Sequence, residues 1–330
     1  MTIKFINVYL NEVSTITGEL EEQGPLSKSF DKSYKDYYFE QETWEQAEIK
    51  MMTESINILL NKINKEKKDI NLFLAGDLLN QLTASSYTSS YLGVPFLGLY
   101  GACSTSCESL IVGSVLLSNK QIENCICSVS SHNLVAEKQF RNPVEYGAPK
   151  PKTTTLTATG AASAFLSRNK SKIMIESGTI GKTLDLGIKD ASHLGSAMAP
   201  AAADTIYQHL SDLKREPNYY DLILTGDLGE YGKKIFLEYM KTEYGYNLSK
   251  NYDDCGTILY DTNRQNVYAG AGGSVTSALV TYASIINKMK KEELNRVLIV
   301  ATGALFSQTM VNQKMTIPSI AHAISLEVVP

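Results

Sequence analysis

The most chemically suggestive run in this 330-residue sequence is Gly101-Ala102-Cys103-Ser104-Thr105-Ser106, a thiol among small and hydroxylated residues. It stands between an apolar strand-like segment, Pro95 to Tyr100, and a helical pattern, Ser104 to Leu117. A thiol at a helix N-terminus feels the positive end of the macrodipole, which favours the thiolate. The same position offers backbone N–H groups at Cys103, Ser104 and Thr105, and these hold a carboxylate with no covalent step. His132, after an apolar run, and His322, in Pro318-Ser319-Ile320-Ala321-His322, have the chemistry of a base or of a donor to an anion. Asp77 and Asp227 each come after a glycine at the end of a short apolar run, where a carboxylate ordinarily caps the next helix. Arg141 sits in a long Pro- and Thr-rich stretch, Lys138 to Gly160, with Lys138, Lys150 and Lys152. Its guanidinium suits a two-point grip on a carboxylate. His209 lies on a helical pattern facing solvent or a neighbour, and His193 lies in a loop rich in Gly, Ser and Ala.

These residues need elements to position them. Apolar runs at Asp69–Gly76, Gln121–Ser131, Asp221–Gly226 and Leu294–Thr302 read as strands. Helical patterns cover Glu42–Lys62, Ser104–Leu117, Ala202–Lys214, Lys233–Lys241 and Val275–Lys290. Strands separated by helix-length crossovers predict an α/β fold with a mostly parallel sheet. The sequence also repeats itself. NLFLAGDL at Asn71–Leu78 returns as DLILTGDL at Asp221–Leu228, 150 residues later. Thr105-Ser106 returns as Thr276-Ser277, and NCICSVSS at Asn124–Ser131 as NRVLIVAT at Asn295–Thr302, both 171 residues later. The growth in offset predicts an insertion in the second copy, within Tyr231–Asp254. The expected division is a first half over residues 1–170 and a second over residues 171–330. Ligands of open α/β sheets favour the carboxyl ends of strands. That rule nominates Asp77, Asp227, His132 and Gly303, with Cys103 and Ser274 at the two helix starts, before any family is considered.

Composition excludes several classes. Thirty-one basic and 35 acidic residues leave a formal charge of −4, without the basic face that phosphate backbones require. With 43% hydrophobic and 20% charged residues the chain is expected to fold as a globular protein. Val297 to Phe306 is its longest apolar stretch, about half of the 20 or so residues needed to span a bilayer. The N-terminal residues lack the basic-then-apolar pattern of a secretory signal. Cys125 and Cys127 lie two apart in a strand-like run without a second pair. All five cysteines therefore read as reduced thiols, and no metal or cofactor is expected.

At Gly101–Ser106 the chain resembles the thiolase superfamily, particularly type III ketoacyl-ACP synthases. Further motifs narrow the match: FLAGDLLNQ at Phe73–Gln81, SSHN at Ser130–Asn133, QFR at Gln139–Arg141, EYG at Glu145–Gly147 and SAMAPAAADTI at Ser196–Ile206. LILTGDL at Leu222–Leu228, DDCG at Asp253–Gly256, NRV at Asn295–Val297, VATGAL at Val300–Leu305 and IPSIAH at Ile317–His322 extend it. With these the chain resembles the stage V sporulation protein AD family from about Gly24 onward. The resemblance implies a thiolase-like duplicated fold, two similar halves in a five-layer α-β-α-β-α sandwich, and a homodimer. It also implies a role in moving dipicolinic acid, pyridine-2,6-dicarboxylate, into the developing spore. The partners would be membrane proteins of the same pathway, and the location cytoplasm or forespore with peripheral contact to the spore inner membrane.

The departures from the condensing-enzyme pattern bear on catalysis. Type III synthases carry a histidine in a P-H-Q-A-N motif and an asparagine in G-N-T-S. Here the matching regions read Leu224-Thr225-Gly226-Asp227-Leu228 and Gly272-Gly273-Ser274-Val275-Thr276-Ser277, with neither residue. Stabilising the enolate of a decarboxylative condensation needs both groups, an effect of several kcal/mol. The expectation is a non-catalytic binding protein for dipicolinic acid or its calcium chelate. Its candidate ligand-binding residues are Asp77, Cys103, Ser104, Thr105, His132, Arg141, Asp227, Ser274 and His322. The alternatives are an acyltransferase or condensing enzyme with Cys103 as nucleophile, and a scaffold docking on a spore membrane channel.

Overall fold

The computed structural model describes residues 1–141 and 149–330, with Arg141 described by its backbone alone. Ten strands form one continuous path: β1 (Tyr9–Thr17), β2 (Phe73–Gly76), β3 (Phe96–Gly98), β4 (Asn124–Ser131), β5 (Gly160–Ser167), β6 (Ile173–Ile180), β7 (Leu222–Thr225), β8 (Tyr252–Asp254), β9 (Arg296–Ala304) and β10 (Ser319–Val328). Their spatial order is β8-β7-β9-β10-β6-β1-β5-β4-β2-β3, which reads the same way outward from the central β6–β1 pair. The β1–β6 junction is short, Tyr9 opposite Met174 and Leu10 opposite Ile173.

The expectation of a mostly parallel sheet is corrected by this topology. Pairing is parallel within the outer triplets β4-β2-β3 and β9-β7-β8. It is antiparallel through β5, β1, β6 and β10. An apolar run encodes burial, not direction.

Six helical segments make the layers. The first, α1 (Trp44–Ile63), starts at a Thr43/Gln46 capping box and turns Ala47, Met51, Met52, Ile56, Leu59 and Leu60 inward at helical spacing. It packs on β1 and β5, beside α2 (Thr83–Leu92). On the opposite outer face α4 (Leu194–Leu213) covers β9 and β10 and packs on α5 (Gly229–Tyr244). Between the sheet halves lie α3 (Thr105–Ser118) and α6 (Thr276–Val280), which continues through a π turn to Lys290. The α3 helix touches β4 of the first half and β9 and β10 of the second. A helix buried on both sides cannot keep a polar face, and α3 buries Ser106, Cys107, Ser109, Ile111, Ser114 and Leu117 around its circumference.

The sequence repeat has a physical counterpart. Ser106 Oγ and Ser277 Oγ, 171 positions apart, meet at 2.6 Å where α3 and α6 cross. The extra chain of the second half falls mainly after the expected Tyr231–Asp254. The α5 helix has 16 residues against 10 in α2, but the helix Cys255–Leu259 and the loop leading to the Ala271–Gly272 strand have no counterpart before α3. Among the described residues no helix is long and apolar enough to cross a membrane.

Candidate functional site

The turn before α3 is built to hold one thiol. Ala102 is left-handed at φ 51°, a conformation that costs a non-glycine residue energy and that persists where surrounding contacts enforce it. Those contacts come from the other half. A side chain at Gly303 of β9 would bring a Cβ to 2.3 Å from the Gly101 carbonyl oxygen, so strand and turn meet backbone to backbone. Within the turn Ser104 N–H donates to Gly101 O at 3.0 Å and Thr105 N–H to Ala102 O at 3.4 Å. The hydroxyls reinforce it: Ser104 Oγ donates to Gly101 O at 2.6 Å and Thr105 Oγ1 to Ala102 O at 2.8 Å. Both residues are fully buried. Ser104 and Thr105 therefore spend their donors on the turn, and Cys103 is left half-buried at the edge of a cavity.

That cavity has an interior volume of about 60 Å3 and opens to solvent. Its walls are aromatic at Tyr100, Phe140 and Phe306 and aliphatic at Leu78, Leu194 and Met198. Phe140 from the first half and Phe306 from the second meet edge to face with centroids 6.2 Å apart. The polar contributions come from Cys103, Asp227, Thr155, Thr157 and Gly273. Tyr100 keeps its phenolic proton beyond the usual range, first through desolvation and then through its proximity to Cys103 and Asp77.

Asp227 is the buried acid of this wall. Thr302 Oγ1 donates to its Oδ1 at 2.6 Å, Gly273 N–H to its Oδ2 at 3.1 Å, and the Cys103 thiol also hydrogen-bonds to its carboxyl. Gly273 has φ +104°, which glycine alone adopts readily. Burial pushes the Asp227 carboxyl up to about 7, against the opposing pull of Thr302, Cys103 and Gly273. The nearby Asp254 carboxylate adds to the rise.

Of the nine residues expected to bind ligand, the structure brings Cys103 and Asp227 together in the cavity. Asp77, Ser104, Thr105, His132, Ser274 and His322 are not part of its lining. Asp77 is consumed by its own loop, accepting from Leu79 N–H at 2.9 Å, Ser85 N–H at 2.8 Å and Ser85 Oγ at 2.6 Å. Ser274 donates its hydroxyl to the Ser130 carbonyl. His132 Nε2 donates to the Tyr37 carbonyl oxygen at 2.8 Å, and His322 Nδ1 accepts from Gly181 N–H at 3.2 Å. Desolvation pulls both imidazoles down to about 4, so near neutrality they carry no charge to offer an anion. His209 is buried between Thr179 and Tyr220 and does not face solvent. Arg141 ends the turn Glu137–Arg141, and its side chain lies outside the described residues. Lys138 pairs with Glu45 at 2.5 Å and Lys150 with Glu137 at 2.7 Å. Among the described residues no three His, Cys, Asp or Glu side chains gather as a metal site.

The aromatic and aliphatic walls escaped sequence reasoning. Phe140, Phe306, Leu194 and Met198 look like ordinary core residues until distant elements converge. A usable signal was position: Phe306 comes two residues after the end of β9 at Ala304.

The model of the stage V sporulation protein AD (SpoVAD) family matches residues 1–327. Stage V sporulation protein AD of Bacillus subtilis (strain 168) is 47% identical over 320 residues, covering 97% of this chain and 94% of that protein. The chain belongs to the SpoVAD family. Solved structures extend the likeness to the fold. An OleA variant from Xanthomonas campestris aligns with a TM-score of 0.62 at 14% identity, over 98% of this chain and 99% of that one. 3-Oxoacyl-(acyl carrier protein) synthase III, FabH, from Xanthomonas oryzae pv. oryzae gives 0.63 at 14%, over 99% and 100%. The corresponding synthase from Aquifex aeolicus VF5 gives 0.55 at 14%, over 98% and 99%. The SpoVAD chain thus has a thiolase-like fold, and its cavity faces Cys103 with a carboxyl and a glycine.

Proposed function

We propose that the cavity captures dipicolinic acid, or its calcium chelate, without turning it over, in support of the acid's uptake into the developing spore. Membership of a sporulation family supports a role in that process. The observation that carries the non-catalytic reading is the group beside Cys103. A decarboxylative condensation develops negative charge on a thioester oxygen and needs neutral or cationic donors aimed at it. The Gly273 N–H is already bonded to Asp227, so the wall offers at most one neutral donor, a protonated Asp227, where two are needed. Aromatic side walls suit a flat heteroaromatic ring, and the hydroxyls of Thr157 and Tyr100 suit its carboxyl groups.

Calorimetric titration with dipicolinate, isophthalate and the calcium chelate tests this. Saturable binding selective for dipicolinate, weakened about tenfold or more by Phe306→Ala, is expected. Absence of selective binding overturns the reading.

A second reading has one observation in its favour, the Cys103–Asp227 hydrogen bond, which sets a carboxyl base beside a thiol. A stable acyl adduct on Cys103 after incubation with acyl-CoA, read by mass spectrometry, would favour an acyltransferase. The proposed assembly is a homodimer touching membrane proteins of the same pathway. In support, β3 is an edge strand with Leu97 47% and neighbouring Tyr100 48% exposed, an unpaired border that invites a second copy. Sedimentation of Leu97→Asp against the unaltered protein tests that.

A further inference from the structure

The wall that faces the ligand carries a carboxyl, and a carboxylate ligand must come to terms with it. We propose that Asp227 is the proton carrier of this site: a ligand carboxylate is accepted opposite Asp227 only in its neutral form, so that capture takes up one proton. The inference rests on the reading that the cavity takes a carboxylic acid, and it adds the residue that sets the ligand's protonation requirement.

The geometry supports it from every side. Asp227 is 2% exposed and accepts from Thr302 of β9, from Gly273 ahead of α6 and from Cys103 ahead of α3. A carboxylate offers about four lone-pair positions, so three donors leave one oxygen position able to hold a proton and donate it. From β8 the charged neighbour is Asp254, held by Thr225 Oγ1 at 2.7 Å, Leu228 N–H at 3.0 Å and Gly229 N–H at 2.9 Å. Burial holds the Asp254 carboxyl above its ordinary range, against the pull of these donors and, last, of Lys233 on α5, which pairs with Asp253. From the helix Cys255–Leu259, Cys255 presents a thiol pushed well above its ordinary range, hence neutral. A second negative charge in this buried neighbourhood is costly beside Asp254, which favours the neutral form of Asp227. With its carboxyl poised at about 7, Asp227 holds its proton below neutrality and must recover it from solvent above. The balance is simple: ligand dianion, one proton and the ionised site give a complex with an O–H···O⁻ bond and no other bond changed.

Calorimetry of dipicolinate binding, in buffers of different ionisation enthalpy across pH of about 6 to 9, counts the proton. Uptake approaching one proton and a loss of affinity of about tenfold per pH unit above about 7 are expected. In Asp227→Asn, uptake and pH slope should both vanish. Thr302→Val, which removes a donor to the ionised form, should move the break to higher pH and guards against a variant that fails to fold. Affinity independent of pH, or a slope that survives in Asp227→Asn, overturns the inference while leaving the ligand reading intact. If dipicolinate does not bind, the ligand reading falls alone, and the ligand-free protein still decides about Asp227. The infrared difference between unaltered protein and Asp227→Asn should contain a protonated-carboxyl band at pH of about 6 that is lost through about 7. Its absence at pH of about 6 overturns the inference.

Discussion

Asp77 and Asp227 occupy the same motif, Gly-Asp-Leu, at the ends of the equivalent strands β2 and β7, and both are buried. Their fates differ. Asp77 turns back on its own loop, where Leu79 and Ser85 hold it, and its charge helps to raise the buried Glu48 of α1, after burial itself. Asp227 reaches across the fold to Thr302, Gly273 and Cys103, and so stands in the cavity wall. The cause is the segment that succeeds each strand. After β2 the chain folds into a tight turn that offers Ser85 as a donor, whereas after β7 it enters α5 directly, and Asp254 takes the free N–H groups of Leu228 and Gly229. Relieved of capping, Asp227 is available for the site. One motif used twice gives a loop brace in one half and a cavity-wall acid in the other.

The largest effect that sharpens this contrast is a pH dependence of stability. The folded-state value of about 7 for Asp227 stands above the ordinary 3.8, so the folded protein holds the proton more tightly than the unfolded chain. Its stabilising contribution is therefore complete below about pH 4 and is lost as pH rises through about 7, on the order of 4 kcal/mol. Urea unfolding of unaltered protein and Asp227→Asn should diverge over that window, and parallel curves would break the contrast. Next comes Asp77→Ala, which strands three buried donors and should cost about 3 kcal/mol. Dipicolinate affinity of the folded variant should stay within about threefold, since Asp77 itself does not line the cavity, although its neighbour Leu78 does. A tenfold loss of affinity without loss of stability would mean that both acids serve the site.

Gly273→Ala comes third. Its new Cβ would lie 2.9 Å from both Ser131 Oγ and Thr157 Cγ2, at a φ of +104°. The expected cost is about 2 kcal/mol in stability, together with weaker ligand binding as the N–H to Asp227 shifts. An equally costly variant that binds normally would separate Gly273 from the site.

Much of this arrangement was legible in the sequence, and the reasons are physical. Buried strands and two-faced helices leave periodic signatures, so β2, β4, β7, β9 and α1 were visible within a few residues. The Thr105-Ser106 and Thr276-Ser277 echo marked two helices that do meet. Cys103 and Asp227 were legible because a duplicated α/β unit brings strand ends and helix starts together. The fates of Ser104, Thr105 and Ser274 were not, because a hydroxyl that bonds a backbone carbonyl has the same sequence as one that faces a ligand. His132 and His322 were misleading for a related reason. An imidazole after a strand reads as a functional group, and only burial reveals it as neutral. Strand direction and the aromatic walls depend on contacts far apart in the chain, which no local pattern encodes.

The smallest effect tests the contrast one hydroxyl at a time. Ser85→Ala removes the 2.6 Å bond to Asp77 but leaves the Ser85 and Leu79 N–H groups in place, so a loss of about 1 kcal/mol is expected. Thr302→Val removes the matching 2.6 Å bond to Asp227 and the acceptor of its N–H at 3.2 Å, a loss of similar size. The two variants should be nearly alike in urea and unlike in pH response. Without Thr302 the ionised form of Asp227 loses its shortest donor, and the pH at which stability falls should move upward. Without Ser85 the fall assigned to Asp227 should stay where it is, and any change should lie in the separate titration of Asp77, whose carboxyl burial also holds above the ordinary range. A shift of that fall in both profiles would mean that the two acids titrate as one system through the turn at Cys103, and the separation of brace from site would have to be abandoned.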